Sequence, residues 1–135
     1  WHAMKLIIFT DGGSRGNPGP AATGIVIKNE AGETLRTYGE FLGAQTNNYA
    51  EYKAIISALK TAKEMGATQI ECRADSKLVI EQLSGNWKVK EPTIRILFFE
   101  ALSALRAFQA HTLRHIPREQ NTEADAEVNK ILDAQ

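Results

Sequence analysis

The sequence predicts an α/β protein built on a mixed five-stranded sheet with helices on both faces. First, residues 5–9 form a run that is apolar on both faces of an extended chain, as in a central strand covered above and below. Second, two further strands follow at short spacing, which favours antiparallel hairpins. Third, strands and helices then alternate, which requires parallel pairing through crossover connections.

Five strands are predicted within the element order β-β-β-α-β-α-α-β-α. The first ends at Asp11, where Gly12 and Gly13 are expected to leave the carboxylate uncrowded and the backbone N–H groups open to a ligand. A turn at residues 29–32 joins the second strand to the third, whose Tyr38 face is expected to be half-exposed. The predicted strands cover residues 5–11, 22–29, 33–42, 69–74 and 111–116.

Four helices are predicted where apolar residues recur with the period of one helical face. Gly66 ends the first helix, and Pro92 suits the first turn of the third. The apolar stripes account for the large hydrophobic side chains, so we expect no obvious exposed apolar patch. Cys72 is expected to be a small core residue. The predicted helices cover residues 49–65, 76–83 and 92–108, and the last begins at residue 121.

Composition indicates one ordinary globular domain. The chain has 135 residues, of which 43% are hydrophobic and 24% charged, and a single cysteine, which excludes an internal disulfide and favours the cytoplasm. No apolar run approaches the ~20 residues of a membrane span. Sixteen basic residues balance sixteen acidic ones, so a phosphate ligand must be held by local groups or by metal ions. Residues 1–3, before Met4, are interpreted as a cloning remnant, and residues 4–135 as the domain.

Two acidic residues stand at the predicted ends of strands. Asp11 ends the first strand and Asp75 the fourth, and parallel neighbours would place the two strand ends about 4.8 Å apart, so that both carboxylates open into one crevice. Each residue alone has an ordinary explanation. Asp11-Gly12 is a strong turn dipeptide, and Asp75 is a respectable helix N-cap.

Two more acidic residues lie in the first turns of predicted helices. Glu51 fits a capping box with Asn48, yet it shares its stripe with Ile55 and therefore leans toward the core. Asp125 suits the helix dipole, yet it lies on the face of Val128. Each ordinary explanation is adequate alone, but together the four acids converge on the same sheet edge.

Four crowded carboxylates repel one another unless a cation neutralises them. All-oxygen ligands favour Mg²⁺ or Mn²⁺ over zinc. His111 and His115 are predicted strand residues, so no cysteine–histidine or serine–histidine–aspartate arrangement competes. The glycine-rich segment 12–16 lacks the Lys-Ser/Thr of a nucleotide-phosphate loop.

In these residues the chain resembles type I ribonuclease H. The matching motifs, in order, are Thr10-Asp11-Gly12-Gly13, Gly16-Asn17-Pro18-Gly19-Pro20, Thr46-Asn47-Asn48 with Glu51, Ala74-Asp75-Ser76, and Asn121 with Ala124-Asp125. One such motif is weak evidence, but the ordered set, which extends from residue 4 to about residue 132, is specific. The resemblance implies a ribonuclease H-like catalytic domain with strand order 3-2-1-4-5.

The resemblance implies an endonuclease that hydrolyses the RNA strand of RNA/DNA hybrids and leaves 3′-hydroxyl and 5′-phosphate ends. It implies two Mg²⁺ ions, with Mn²⁺ as an alternative, held by Asp11, Glu51, Asp75 and Asp125, with Asp11 bridging both. Two ions about 3.5–4 Å apart can activate water and stabilise the leaving oxygen. Glu51 is also expected near the ribose 2′-hydroxyl, the group that distinguishes RNA from DNA.

The same resemblance implies substrate contacts that follow the backbone and groove shape more than the base sequence. The candidate residues are Gly12, Gly13, Asn47 and Ser76 on the RNA strand, Asn17, Thr46 and Asn48 on the DNA strand or its phosphate, and Lys77 beside them. Lysine at an exposed helix start is also commonly just solvated.

The chain departs from many family members at two places. A basic helical insertion is replaced by the short segment 87–90, whose Trp87 either stacks on a sugar or covers a helix junction. The loop before the last helix lacks a histidine, and Arg118 is a candidate phosphate contact there; an exposed loop arginine is the equal alternative.

The sequence therefore predicts a monomeric, cytoplasmic, metal-dependent ribonuclease H. Three alternatives are kept: a catalytically quiet paralogue that binds hybrids without cutting, an interaction domain that reuses the fold, and an enzyme that uses the same metal chemistry for cleavage of double-stranded RNA or for DNA strand transfer.

Overall fold

The computed structural model describes residues 3–135; the first two residues of the predicted cloning remnant lie outside them. The strands are β1 (Lys5–Ser14), β2 (Gly19–Asn29), β3 (Thr34–Gln45), β4 (Gln69–Ala74) and β5 (Ala110–His115). The helices are α1 (Asn47–Glu64), α2 (Lys77–Leu83), α3 (Pro92–Leu105) and α4 (Thr122–Asp133), and a single 3₁₀ turn covers Arg118–Gln120. The sequence predicted every one of these elements except the 3₁₀ turn.

The strands form one sheet in the order β3-β2-β1-β4-β5. Neighbours β1–β2 and β2–β3 are antiparallel, whereas β1–β4 and β4–β5 are parallel. The mixed sheet and its strand order are confirmed. The central strand β1 is therefore the place where antiparallel and parallel pairing meet.

The first strand does not end at Asp11, as the sequence predicted. Its parallel ladder with β4 stops at the pair Thr10–Ala74, but its antiparallel ladder with β2 continues to Ser14. The Asp-Gly dipeptide therefore stays extended, because β2 supplies partners for its backbone. Asp11 is the first residue beyond the parallel ladder, which opens one side of the strand next to its carboxylate.

Helices cover both faces of the sheet. The larger core lies between the sheet and helices α1 to α3 and includes Leu6, Ile25 and the fully buried Cys72. The smaller core lies under α4 and contains Ala22 and Val128. Successive strand residues point to opposite faces, so β2 contributes to both cores.

Edge strand β3 is largely exposed. Tyr38 is partly buried on the α1 side, where its hydroxyl lies 2.8 Å from Ser57 Oγ and 2.7 Å from Thr61 Oγ1. On the opposite face Leu35 and Phe41 are also exposed, although the sequence predicted the half-exposed face to be that of Tyr38.

Helix α3 shows that the expectation of no exposed apolar patch was wrong. Ile96 is 70% exposed and Phe99 53% exposed on the outer face of this helix. Phe99 packs edge-on against Phe98, with ring centroids 5.2 Å apart, and the Arg95 guanidinium lies 5.5 Å from its centroid. In the described part of the chain, no helix has both the length and the apolar character needed to cross a bilayer.

Candidate active site

Three carboxylates converge at the edge of the sheet where the parallel ladder ends. Asp11 in β1, Glu51 in α1 and Asp75 after β4 each offer one oxygen, and these oxygens all lie within 4.8 Å of one another. They line a cavity of about 410 Å³. Asp125 of α4 lines the same cavity but stands outside the group of three.

Two glycines allow the helices to approach Asp11 this closely. A Cβ added at Gly12 would lie less than 3.0 Å from the backbone of Ala50 and Glu51, and one at Gly24 would similarly meet the Ala124 carbonyl. Gly24 pairs with Asp11 across β1 and β2. The first turn of α1 therefore packs directly against one side of Gly12, while Gly12 still lines the cavity.

The ordinary explanations of Glu51 and Asp75 as helix caps do not hold. Thr46 caps α1 by accepting a hydrogen bond from the Tyr49 N–H at 3.2 Å, so Asn48 is already inside the helix. Ser76 caps α2 by accepting from the Val79 N–H at 3.3 Å. Both carboxylates are therefore available to the cavity.

Burial makes the carboxylate cluster electrostatically unfavourable. It raises the pKa of Asp11 to about 8, with Asp75 and Asp125 adding to the rise and a 3.0 Å hydrogen bond from the Gly12 N–H opposing it. Burial, followed by the charges of Asp11 and Asp75, raises the pKa of Glu51 well above its usual value. Burial also raises the pKa of Asp75, against the lowering effect of Arg118. Such a cluster requires protons or cations.

The donor set fits a divalent cation that prefers oxygen. Glu51 is 8% exposed, and its Oε2 is buried without a hydrogen-bond partner among residues 3–135. A buried carboxylate oxygen without a partner is unfavourable unless a cation approaches it. Oxygen atoms from three carboxylates are the ligands that Mg²⁺ and Mn²⁺ accept.

Comparison with known proteins agrees with this geometry. A family model described as reverse transcriptase-like matches residues 9–131. The crystal structure of RNase H1 from Halobacterium salinarum is 41% identical, with a TM-score of 0.95, and the match covers 97% of this chain and 99% of that one. The chain belongs to the ribonuclease H family.

Two further members of the ribonuclease H family are similar to the chain. LC11-RNase H1, solved in complex with an RNA/DNA hybrid, is 42% identical with a TM-score of 0.91, over 96% of this chain and 97% of that one. The bifunctional protein Rv2228c of Mycobacterium tuberculosis is 43% identical over 97% of this chain. The chain spans only 36% of the length of that protein, and 65% of the length of the curated ribonuclease HI of Halobacterium salinarum.

Most of the predicted substrate-binding residues of this ribonuclease H-family chain line the carboxylate cavity. Those that do so are Gly12, Gly13, Asn47, Asn48, Ser76 and Arg118. Arg118 lines this cavity together with Asp75, and its positive charge lowers the pKa of that carboxyl. Lys77 is exposed in the first turn of α2 and lines neither this cavity nor the neighbouring one.

Asn17 and Thr46 lie in a neighbouring cavity, which shares Asn48 with the first. Asn17 Oδ1 accepts from the Asn47 N–H at 3.0 Å, and Asn47 Oδ1 accepts from the Ser14 N–H at 2.8 Å. The first hydrogen bond joins the β1–β2 loop to the start of α1, and the second joins the end of β1 to the same residue of α1. The two asparagines therefore have a structural role in addition to any contact with substrate.

Sequence reasoning missed Arg15 and Asn129 and assigned no role to Asn121, although Asn121 belongs to one of the matching motifs. Asn121 is buried and its side-chain N–H donates to the Thr10 carbonyl at 2.8 Å, which anchors the start of α4 beside Asp11. Arg15 and Asn129 line the cavity beside Asp125. The spacing of Asn129, four residues after Asp125 on one helical face, is the signal that could have identified it.

Proposed function

We propose that this chain is a divalent-metal-dependent endonuclease that hydrolyses the RNA strand of RNA/DNA hybrids and leaves 3′-hydroxyl and 5′-phosphate ends. The observation that carries the proposal is the convergence of the Asp11, Glu51 and Asp75 oxygens within 4.8 Å. Membership of the ribonuclease H family and the hybrid complex of LC11-RNase H1 support it.

Two Mg²⁺ ions are the proposed cofactor, and Mn²⁺ is the proposed substitute. Asp11, Glu51 and Asp75 would hold the two ions together with Asp125. Asp11 would be a ligand of both ions. Such ions activate water and stabilise the leaving oxygen of a phosphodiester when they are bound.

The residues around the acids suit a nucleic-acid backbone. Glu51, at the start of α1, is proposed to lie near the ribose 2′-hydroxyl. Arg118 is the basic residue beside Asp75 and is proposed to contact a phosphate, which would draw the negative backbone toward an otherwise acidic cavity. Backbone contacts of this type favour recognition of duplex shape over base sequence.

A binding protein without catalytic activity is the less favourable alternative. Ionising several buried carboxylates side by side opposes folding, and a protein that only held hybrids would gain nothing from that arrangement. The monomeric state and cytoplasmic location predicted from the sequence remain predictions.

The proposal is tested by cleavage of matched RNA/DNA, RNA/RNA and DNA/DNA duplexes under identical Mg²⁺. We expect cleavage of the RNA strand of the hybrid and none after chelation with EDTA. Cutting of RNA/RNA at a comparable rate would replace hybrid specificity with a broader ribonuclease activity.

The Asp75→Asn variant is the matched test of the carboxylate site. It keeps the side-chain shape and removes the negative charge that holds a cation, so we expect cleavage to fall by about 100-fold or more, at least as much as the loss of a group that only orients a metal ligand. Glu64→Gln, at an exposed position at the end of α1, is the control and should cut normally. Wild-type cleavage by Asp75→Asn would contradict the proposed site.

A further inference from the structure

Helix α4 carries a row of polar side chains at four-residue spacing that leads away from the carboxylate cluster. Asp125, Asn129 and Asp133 lie one turn apart on the same face of the helix. The Asn129 side-chain nitrogen donates to Asp125 Oδ2 at 3.3 Å and to the Asp125 carbonyl at 3.2 Å. Asn129 is therefore in direct contact with the one acid that stands outside the group of three.

Arg15 contacts the oxygen end of the Asn129 amide. An asparagine side chain can present either its oxygen or its nitrogen to a neighbour. Arg15 Nη2 donates to Asn129 Oδ1 at 3.4 Å, and the same nitrogen is paired with Asp133 Oδ1 at 2.6 Å. With the oxygen end occupied by Arg15, the N–H end is directed at the Asp125 carboxylate.

Two of the other acids, Asp11 and Glu51, are held in place by burial, at 7% and 8% exposed. Asp11 also accepts a hydrogen bond from the Gly12 N–H. Asp125 is only partly buried, on a helix that packs over the opposite side of β1 from α1. Its side chain therefore depends more on a hydrogen-bonding partner for a fixed direction.

We propose that Asn129, oriented by Arg15, is a positioning residue that holds the Asp125 carboxylate in the direction required for cation binding. The inference rests on the proposed function, since it assigns Asp125 to the cation site. Asn129 contacts Asp125 through hydrogen bonds and Arg15 acts through Asn129, so the proposal requires no contact between Asn129 and the hybrid. Groups that orient a metal ligand commonly change metal affinity or activity by about 10- to 100-fold when they are removed.

Direct contact with the substrate is the competing explanation, because Arg15 and Asn129 both line the cavity. The two explanations differ in their readouts. A positioning residue affects metal binding in the absence of nucleic acid and lowers kcat. A substrate contact raises KM for the hybrid and leaves metal binding by the free protein unchanged.

The experiment is calorimetric titration of the metal-free protein with Mn²⁺ alone, together with kcat and KM for hybrid cleavage. We expect Asn129→Leu, of similar size but without hydrogen bonds, to weaken Mn²⁺ binding by about tenfold and to lower kcat by a similar factor, with KM changed less than about twofold. Asn129→Gln retains an amide and should recover most of the loss.

A double-mutant cycle tests the part assigned to Arg15. If Arg15 acts only by orienting Asn129, Arg15→Ala should weaken Mn²⁺ binding by a smaller factor. The double variant with Asn129→Leu should then be no worse than Asn129→Leu alone. Additive losses would show that Arg15 affects Mn²⁺ binding independently of Asn129 and would overturn the orienting role assigned to it.

Lys130→Gln, at an exposed position next to Asn129, is the control for a surface change on α4 and should leave both measurements unchanged. Circular dichroism and urea unfolding establish that each variant is folded. Wild-type Mn²⁺ affinity in Asn129→Leu, or a change confined to KM, would overturn the proposal. A wild-type protein that binds Mn²⁺ but does not cut hybrids would defeat the proposed function while the positioning of Asp125 remained testable by titration.

Discussion

Asp11 is an ionisable side chain in a place that disfavours its charge. It is 7% exposed, and burial together with Asp75 and Asp125 raises its pKa to about 8. In the unfolded chain the same group titrates near 3.8. The free energy of unfolding of the metal-free protein should therefore fall as the pH rises from about 4 to about 8, since the unfolded state ionises first.

Asp11→Asn should remove this effect. We expect the variant to be about 1–3 kcal/mol more stable than the metal-free wild type at pH 8 and nearly equal to it close to pH 4, because the amide carries no charge at either pH. Urea unfolding in EDTA at the two pH values measures the difference. Glu30→Gln, an exposed position in the β2–β3 turn, should show no such pH-dependent gain. An Asp11→Asn protein less stable than wild type at pH 8 would contradict the electrostatic account.

The convergence of Asp11, Glu51 and Asp75 could be predicted from the sequence, because each stands where the parallel ladder ends or a helix begins, and element order fixes those places in the fold. The roles of Asn129 and Asn121 could not be predicted in this way. Asn121 belongs to a matching motif and Asn129 has a suggestive spacing, but only the distances to Asp125 and Thr10 show what their side chains contact.

At the scale of secondary structure, glycine decides where the helices meet the sheet. The backbone of α1 lies against Gly12, and the added Cβ would come within 3.0 Å of main-chain atoms that cannot turn aside. At Gly13 the added Cβ would meet only Val128 Cγ1, at 3.4 Å. Neighbouring glycines of one strand therefore have different tolerance for a methyl group.

Gly12→Ala is predicted to destabilise the protein by about 2–4 kcal/mol, since either β1 or α1 must move to relieve the contact. Gly13→Ala should change stability by less than about 1 kcal/mol in the same urea experiment. Gly12→Ala should also displace Glu51 and weaken Mn²⁺ binding. Equal stability of the two variants would show that α1 does not depend on this close approach.

The sequence predicted the elements to within three residues at each end, but their ends depend on tertiary partners. Strand β1 passes through Asp11 to Ser14 because β2 continues beside it, although Asp-Gly alone favours a turn. Helix α3 exposes Ile96 and Phe99, which periodicity could not predict because it shows which residues share a face but not what covers that face.

At the scale of the whole molecule, zero net charge means that local basic residues must attract the proposed hybrid substrate. The segment between α2 and α3 presents Lys88 and Lys90 from a fixed backbone. Gln82 Nε2 donates to the Lys88 carbonyl at 3.2 Å, and Arg95 Nη1 donates to the Val89 carbonyl at 3.0 Å. Trp87, 45% exposed, stands in the same segment.

The replacement of Lys88 and Lys90 by alanine should weaken hybrid binding and reduce its dependence on salt. If each lysine neutralises one phosphate, the slope of log K against log salt should become shallower by about one to two units. Fluorescence anisotropy with Asp11→Asn as the background keeps the hybrid intact during the measurement. Lys5→Ala, at the far end of β1 and about 20 Å from Asp11, is the matched control and should leave the slope unchanged. A slope unaffected by loss of both lysines would mean that this segment does not touch the phosphates, and that Arg118 and the helix starts around the carboxylates hold the duplex.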